Sequence, residues 1–106
     1  MIVVKPRSRE EFKRVVEEAR RSGKLVYISA RPCPECEVFE KALERLEVDT
    51  SRIVKVDVPD EDWAIDFVLN ELGVSGAPSV LAPDGEILDD FDPIELARKV
   101  KEIASP

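Results

Sequence analysis

The sequence predicts an α/β fold with three layers, a central mixed β-sheet covered by helices on both faces. Two observations support this prediction. Short β-prone runs alternate along the chain with segments whose apolar residues recur at helical spacing. The last two β-prone runs instead flank a tight turn, Pro83-Asp84-Gly85, so they should pair antiparallel. We expect the order β-α-β-α-β-α-β-β-α in a single domain spanning residues 1–106.

The first half of the chain supplies two strands and two helices. Ile2–Val4 is a short candidate strand, and Ser8-Arg9-Glu10-Glu11 is a capping box that begins a helix ending at Ser22-Gly23. Leu25–Ile28 is a continuous apolar run, typical of a strand buried on both faces and therefore central. Residues 33–46 have helical periodicity, which places both cysteines on the first turn of that helix. The apolar faces of the two helices comprise Phe12, Val15, Val16 and Ala19, and then Cys36, Phe39, Ala42, Leu43 and Leu46.

The second half adds a strand, a helix, a hairpin and a final helix. Ile53–Val58 is the strand, and Pro59-Asp60-Glu61-Asp62 places negative charge where a helix N-terminus favours it. The hairpin strands are Ser79–Ala82 and Glu86–Leu88, and Asp92-Pro93 supplies an N-cap and a first-turn proline for the last helix. We expect Ala64, Phe67, Val68 and Leu72 to be buried on the first of these helices, which Gly73 ends, and Leu96, Val100 and Ile103 on the second.

Charge and hydropathy exclude several classes of partner. Sixteen basic and twenty-three acidic residues give a net charge of −7, and no segment concentrates Lys and Arg into a phosphate-binding stripe. No stretch approaches the roughly 20 apolar residues of a membrane span, and the apolar run after Met1 is too short for a signal peptide. We therefore expect a cytoplasmic protein that binds neither nucleic acid nor membrane.

The residue types that the chain avoids are informative as well. It has no histidine, which excludes Ser-His and Cys-His nucleophile pairs and leaves a metal only thiolates and carboxylates. It also has no glutamine, while charged residues make up 37% of the chain. This composition is typical of hyperthermophile proteins, and we interpret it as a sign of a thermophilic source.

Cys33 and Cys36 form the only C-x-x-C motif, for which three unreactive interpretations exist. A structural disulfide closing so short a loop would add only about 2 kcal/mol, and cytoplasmic disulfides rarely persist. A zinc site needs four ligands, so two chains would have to share it. Two inert buried thiols are the third possibility, although Pro32 and Pro34 hold the segment in an irregular turn that favours an exposed first cysteine.

A redox function fits the spacing better. At a helix N-terminus, free N–H groups and the macrodipole favour Cys33 as a thiolate, whereas Cys36, one turn inside, stays a thiol. Cys33 would attack a substrate disulfide, and Cys36 would then release the reduced substrate. Arg31 favours the thiolate, but Glu35, Glu37 and Glu40 oppose it, so we predict a moderately acidified Cys33 and a relatively reducing couple.

Three features of the sequence belong together: the element order, the Cys33-Pro34-Glu35-Cys36 motif after the central strand, and Gly76-Ala77-Pro78-Ser79 before the hairpin. In these features the sequence resembles the thioredoxin family over essentially the whole chain. The resemblance implies a cis Ala77-Pro78 bond facing the cysteine pair, and pairing of the Ala77 backbone with a bound substrate segment. Both fit general physics, because a cis X-Pro bond is a specified tight-turn feature and extended peptides bind by strand-like pairing.

The sequence also departs from that family. Thioredoxins usually carry Trp-Cys-Gly-Pro-Cys, whereas here Arg31-Pro32 precede the pair, and the Cys-Pro opening looks closer to glutaredoxins. Six residues before the first cysteine, thioredoxins place a buried aspartate that handles the proton of the second thiol, and this chain has Tyr27. Tyr27 is expected to be a core aromatic, so either the proton relay differs here or another group, such as Lys55 or Glu35, takes over the proton.

The resemblance implies a protein disulfide reductase that receives electrons from a flavin-dependent reductase of the thioredoxin-reductase type or from another dithiol donor. We expect no cofactor besides the redox-active cysteine pair, and no metal. The alternatives are a glutaredoxin-like enzyme that uses glutathione, and a non-enzymatic binding module, either a metal-bridged dimer or a redox-inert adaptor.

Overall fold

The computed structural model describes residues 1–104, and its elements follow the expected order. Two additions interrupt that order, a 3₁₀ turn over Thr50–Arg52 and a π-helical turn over Phe67–Glu71. The strands and helices are β1 (Ile2–Val4), α1 (Arg9–Arg21), β2 (Leu25–Ser29), α2 (Pro34–Arg45), β3 (Ile53–Asp57), α3 (Asp62–Asp66), β4 (Ser79–Leu81), β5 (Ile87–Leu88) and α4 (Pro93–Ala104).

The five strands form one mixed sheet in the order β1-β3-β2-β4-β5. β3 pairs parallel with both β1 and β2, while β4 pairs antiparallel with β2 and β5, so the α/β prediction is confirmed. β2 is the central strand, and all five of its residues are buried. Its register places Tyr27 opposite Lys55 and Ser29 opposite Asp57, which brings four polar side chains to one face of the sheet.

The helices begin where the capping signals predict. The Ser8 hydroxyl accepts a hydrogen bond from the Glu11 N–H at 3.1 Å, and the Asp92 carboxylate accepts one from the Ile94 N–H at 2.9 Å. Cys33 is the N-cap of α2, and Pro34 follows as its first residue. Local side-chain chemistry therefore sets the start of these three helices.

The structure differs from the sequence prediction at two helices. α3 is regular only to Asp66, after which the Leu72 N–H bonds the Phe67 carbonyl at 3.0 Å in a wider turn that buries both Phe67 and Val68. On α4, Ile103 is 38% exposed, contrary to expectation. The buried stripe runs instead through Leu96, Ala97, Val100 and Ala104, and its alanines let α4 pack close to α2.

The two faces of the sheet carry different cores. α1, α3 and the π-helical turn cover one face through an entirely apolar cluster, whereas α2 and α4 cover the face that holds Tyr27. The buried polar residues among positions 1–104 are Ser29, Asp57 and Ser79, which end β2, end β3 and begin β4. All three lie at the ends of neighbouring strands, on the side of the sheet where α2 begins. Within the same described residues, none of the helices is long and apolar enough to cross a membrane.

Candidate active site

The two cysteines form a disulfide bond at the start of α2, with their Cα atoms 5.2 Å apart. Cys36 is 3% exposed and belongs to the core between α2 and the sheet, whereas Cys33 is partly exposed. The predicted asymmetry between an accessible first cysteine and a buried second one is therefore present.

The helix N-terminus contacts the exposed sulfur directly. The Cys36 N–H donates to Cys33 Sγ at 3.1 Å, and Pro34, at the first helical position, has no N–H to leave unpaired. An N–H donor and the positive end of the helix dipole both favour negative charge on Cys33 after reduction. Glu35 and Glu37 lie in the same first turn and act against that effect.

The loop before β4 faces the disulfide from the other side. The Ala77-Pro78 peptide bond is cis, as the resemblance implies, and Cys33 Sγ lies 3.8 Å from the Ala77 carbonyl oxygen. The buried Ser79 hydroxyl donates to the Gly76 carbonyl at 2.7 Å and holds this loop in place. The Arg31-Pro32 bond is also cis, which the sequence did not lead us to expect.

A groove of about 550 Å³ runs along the cis Pro78 loop on one side of the disulfide. Glu35, Asp89 and Asp90 make its rim acidic, and the Phe91 side chain at its edge is fully exposed. Glu35 thus faces solvent in this groove rather than the buried cysteine. Its sequence-based role as a proton carrier for Cys36 gains no support from this position.

Behind the disulfide, three polar side chains from different elements meet. The Tyr27 hydroxyl donates to Glu40 Oε2 at 3.0 Å and lies 3.4 Å from the Cys36 carbonyl oxygen. Lys55 Nζ donates to the same Glu40 oxygen at 2.9 Å. Burial, above all, raises the pKa of the Tyr27 phenol, so Tyr27 remains a proton donor.

Sequence reasoning found Tyr27 and Lys55 but treated Glu40 only as an opposing charge. The available signal was its spacing from Cys36, since residues four apart share one face of a helix. We name Tyr27, Glu40 and Lys55 the rear cluster. Two of its members, Glu40 and Lys55, line a second cavity of about 740 Å³ together with Cys33 and Cys36.

Asp57 lies beside this cluster, and its carboxylate is buried without a hydrogen-bond partner for either oxygen among the described residues. Arg31 Nη2 approaches Oδ2 at 3.4 Å, close enough for an ion pair but not aligned as a hydrogen bond, and the Arg31 side chain is 72% exposed. The charge of Arg31, expected to act on Cys33, is thus partly neutralised by Asp57.

Comparison with known proteins identifies the fold. No family model and no curated protein matches this sequence. Among solved structures, oxidised thioredoxin O2 from Arabidopsis thaliana superposes with a TM-score of 0.68 at 19% identity, covering 97% of this chain and 95% of that one. Thioredoxin O1 from the same plant gives 0.66 at 17% identity, covering 99% and 100% of the two chains.

A glutaredoxin is similar as well. Oxidised glutaredoxin 2 from Chlamydomonas reinhardtii gives a TM-score of 0.61 at 20% identity and covers 91% of this chain and 92% of that one. Identities this low relate the folds and leave the activity to be argued from the site. The protein therefore has a thioredoxin-like fold with a disulfide-forming cysteine pair at the start of its second helix.

Proposed function

We propose that this protein is a thiol-disulfide oxidoreductase that reduces protein disulfides by cycling Cys33 and Cys36 between dithiol and disulfide. One observation carries the proposal. The sulfur of Cys33 is partly exposed at a helix N-terminus, accepts a backbone N–H at 3.1 Å, and lies 3.8 Å from the Ala77 carbonyl oxygen beside an open groove. A nucleophilic thiolate and a place for its substrate are thus adjacent.

The reaction has two balanced steps. The Cys33 thiolate attacks one sulfur of a substrate disulfide, a mixed disulfide forms, and the other substrate sulfur leaves as a thiolate. Cys36 then loses its proton and attacks Cys33 Sγ, so the Cys33–Cys36 bond forms and the second substrate thiolate leaves. Two electrons pass to the substrate, and its two sulfurs take up protons.

Features of the site support protein substrates. The groove beside the cis Pro78 loop is open enough for an extended chain segment, and the fully exposed Phe91 offers apolar contact at its edge. Regeneration of the dithiol requires an external dithiol donor, such as a flavin-dependent reductase. The sulfur chemistry needs no further cofactor. Such a reductase works where thiols are kept reduced, so we propose a cytoplasmic location.

A glutaredoxin-like activity is the second candidate, favoured by the Cys33-Pro34 opening and by the likeness to glutaredoxin 2. Glutathione carries two carboxylates and a single ammonium group. Glu35 and Asp89 at the rim repel such an anion, whereas Asp90 is paired with Lys99 Nζ at 3.2 Å. The charge of the groove therefore favours a protein disulfide reductase over a glutathione-dependent enzyme.

The test is a redox titration of the cysteine pair combined with turnover of a disulfide-bonded protein. We expect a potential near the thioredoxin value of about −270 mV, and turnover that disappears in Cys33→Ser. A potential between about −120 and −180 mV would indicate an oxidase or isomerase instead. Faster turnover with glutathione than with a dithiol donor would favour the glutaredoxin-like activity. The lack of any reversible couple would favour a metal-bridged or adaptor protein.

A further inference from the structure

The second step of the proposed reaction poses a chemical problem that the first does not. Cys36 must give up a proton before it can attack, although its side chain is 3% exposed within the core. A thiol in apolar surroundings holds its proton more tightly than an exposed one. If the proposed function is correct, a nearby group should accept that proton.

Glu40 is placed to do so. It follows Cys36 by one helical turn, so the two side chains share a face of α2, and both line the cavity behind the disulfide. Its side chain is 32% exposed, which allows exchange of a proton with solvent. Tyr27 and Lys55 both bind Oε2, so Oε1 can take a proton without breaking either contact.

The other polar and charged side chains around Glu40 are less suited to accept the proton of Cys36. Tyr27 on β2 and Lys55 on β3 both act as hydrogen-bond donors to Glu40. Asp57 on β3 faces Arg31 at 3.4 Å and does not line the cavity. Of the remaining charged side chains that line the cavity, Arg31 and Lys41 are cations. Glu37 is exposed and follows Cys36 directly, so the two side chains do not share a face of α2.

We propose that Glu40 accepts the proton of the Cys36 thiol when the mixed disulfide is resolved, while Tyr27 and Lys55 act as positioning residues for its carboxylate. The proton moves from Cys36 Sγ to Glu40, and the new thiolate attacks Cys33 Sγ. The Cys33–Cys36 bond forms as the bond from Cys33 to the substrate breaks. Glu40 then releases its proton to water in the cavity, and the departing substrate thiolate is protonated from solvent.

Single-turnover kinetics with 5,5′-dithiobis(2-nitrobenzoate) separate the two steps. The reduced protein releases one coloured thiolate when Cys33 attacks and a second when Cys36 resolves the mixed disulfide. The variant is Glu40→Gln, which keeps the shape and removes the base. Its matched control is Glu44→Gln, the same change one turn further along α2 at an exposed position.

In Glu40→Gln at pH 7 we expect the second phase to slow by about tenfold or more, and the first to stay within about twofold. The deficit should shrink as the pH rises, because hydroxide can then remove the thiol proton in place of Glu40. The control should change neither phase. An unchanged second phase, or a slowing that is equal at all pH values, would overturn the role of Glu40. If the reduced wild type releases no thiolate in the first phase, in which Cys33 attacks, both the proposed function and the role of Glu40 are overturned.

Discussion

Cys33 and Cys36 are three residues apart and bonded to each other, but they lie in contrasting surroundings. Cys33 caps a helix, is partly exposed, and lies 3.8 Å from the carbonyl oxygen of Ala77, which lines the groove with the acidic rim and the exposed Phe91. Cys36 is buried between α2 and the sheet, next to the rear cluster of Tyr27, Glu40 and Lys55. One helical turn thus separates an exposed cysteine beside an open groove from a buried cysteine in the core.

The contrast shows how a common helix start can supply two different thiols. The exposed side needs the local N-cap at Cys33 and one distant segment, the loop at Ala77-Pro78. The buried side needs distant parts of the chain, because its polar groups come from β2, α2 and β3. We expect substitutions on the buried side to change stability more than substitutions on the exposed side.

The largest effect is expected from Phe39→Ala, behind Cys36. Phe39 is fully buried, and its ring lies 4.8 Å from that of Tyr27 in an edge-on arrangement. Removing the ring should leave a cavity and lower the free energy of unfolding by about 3–5 kcal/mol. Urea denaturation measures this loss. A loss under about 1 kcal/mol would contradict the packing described for the buried side.

Tyr27→Phe tests the polar part of the buried side. It removes the donor to Glu40 and should lower the free energy of unfolding by about 1 kcal/mol at pH 7. Its effect at alkaline pH has the opposite sign. Because burial raises the pKa of the folded Tyr27 phenol above its ordinary 10.0, the folded state keeps a proton that the unfolded state loses.

The wild type should therefore lose stability to the Tyr27 titration as the pH rises above 10, by up to about 1.4 kcal/mol per pH unit, and Tyr27→Phe should lack this loss. Denaturation of both proteins between pH 9 and 11 measures the difference. Tyr27 is the only tyrosine in the chain, so phenolate absorbance reports its ionisation directly. A phenol that ionises near pH 10 while the protein remains folded would show that Tyr27 is not shielded.

The same residues show which parts of the structure could be predicted from the sequence. Ser8, Cys33 and Asp92 act on backbone groups a few residues away, so the helix starts were predictable. The rear cluster was not, because Glu40 meets Tyr27 and Lys55 only after β2 and β3 are in register and α2 is docked. The prediction that Ile103 is buried was wrong for a related reason. Periodicity allowed two inward stripes on α4, and close packing against α2 selected the one lined by alanines.

Asp57→Asn is expected to have an effect of similar size to that of Tyr27→Phe at pH 7, but with the opposite sign. A buried carboxylate without a hydrogen bond costs free energy, and its ionic partner Arg31 is largely exposed and remains solvated without it. We expect the free energy of unfolding to rise by about 1 kcal/mol in urea denaturation. Asp60→Asn, at an exposed position, is the matched control and should change little. Destabilisation by Asp57→Asn alone would mean that the carboxylate contributes to the fold.

Phe91→Ala tests the exposed side and should have the smallest effect. Phe91 is fully exposed, so the free energy of unfolding should stay within about 0.5 kcal/mol. If the ring contacts protein substrates, KM for a disulfide-bonded protein should rise about threefold to tenfold while a small disulfide is reduced as before. Ile94→Ala, exposed on α4 outside the groove, is the control. Equal KM values for Phe91→Ala and wild type would remove Phe91 from the substrate surface.

The central claim, that Cys33 attacks and Cys36 resolves, is tested most directly by trapping the intermediate. Cys36→Ser should react with a peptide disulfide and stop at a one-to-one mixed disulfide on Cys33, visible by mass spectrometry and reversed by dithiothreitol. Cys33→Ser, whose remaining thiol is the buried Cys36, should form almost no adduct in the same time. Adducts of equal yield on both variants, or none on Cys36→Ser, would contradict the division of roles between the two cysteines.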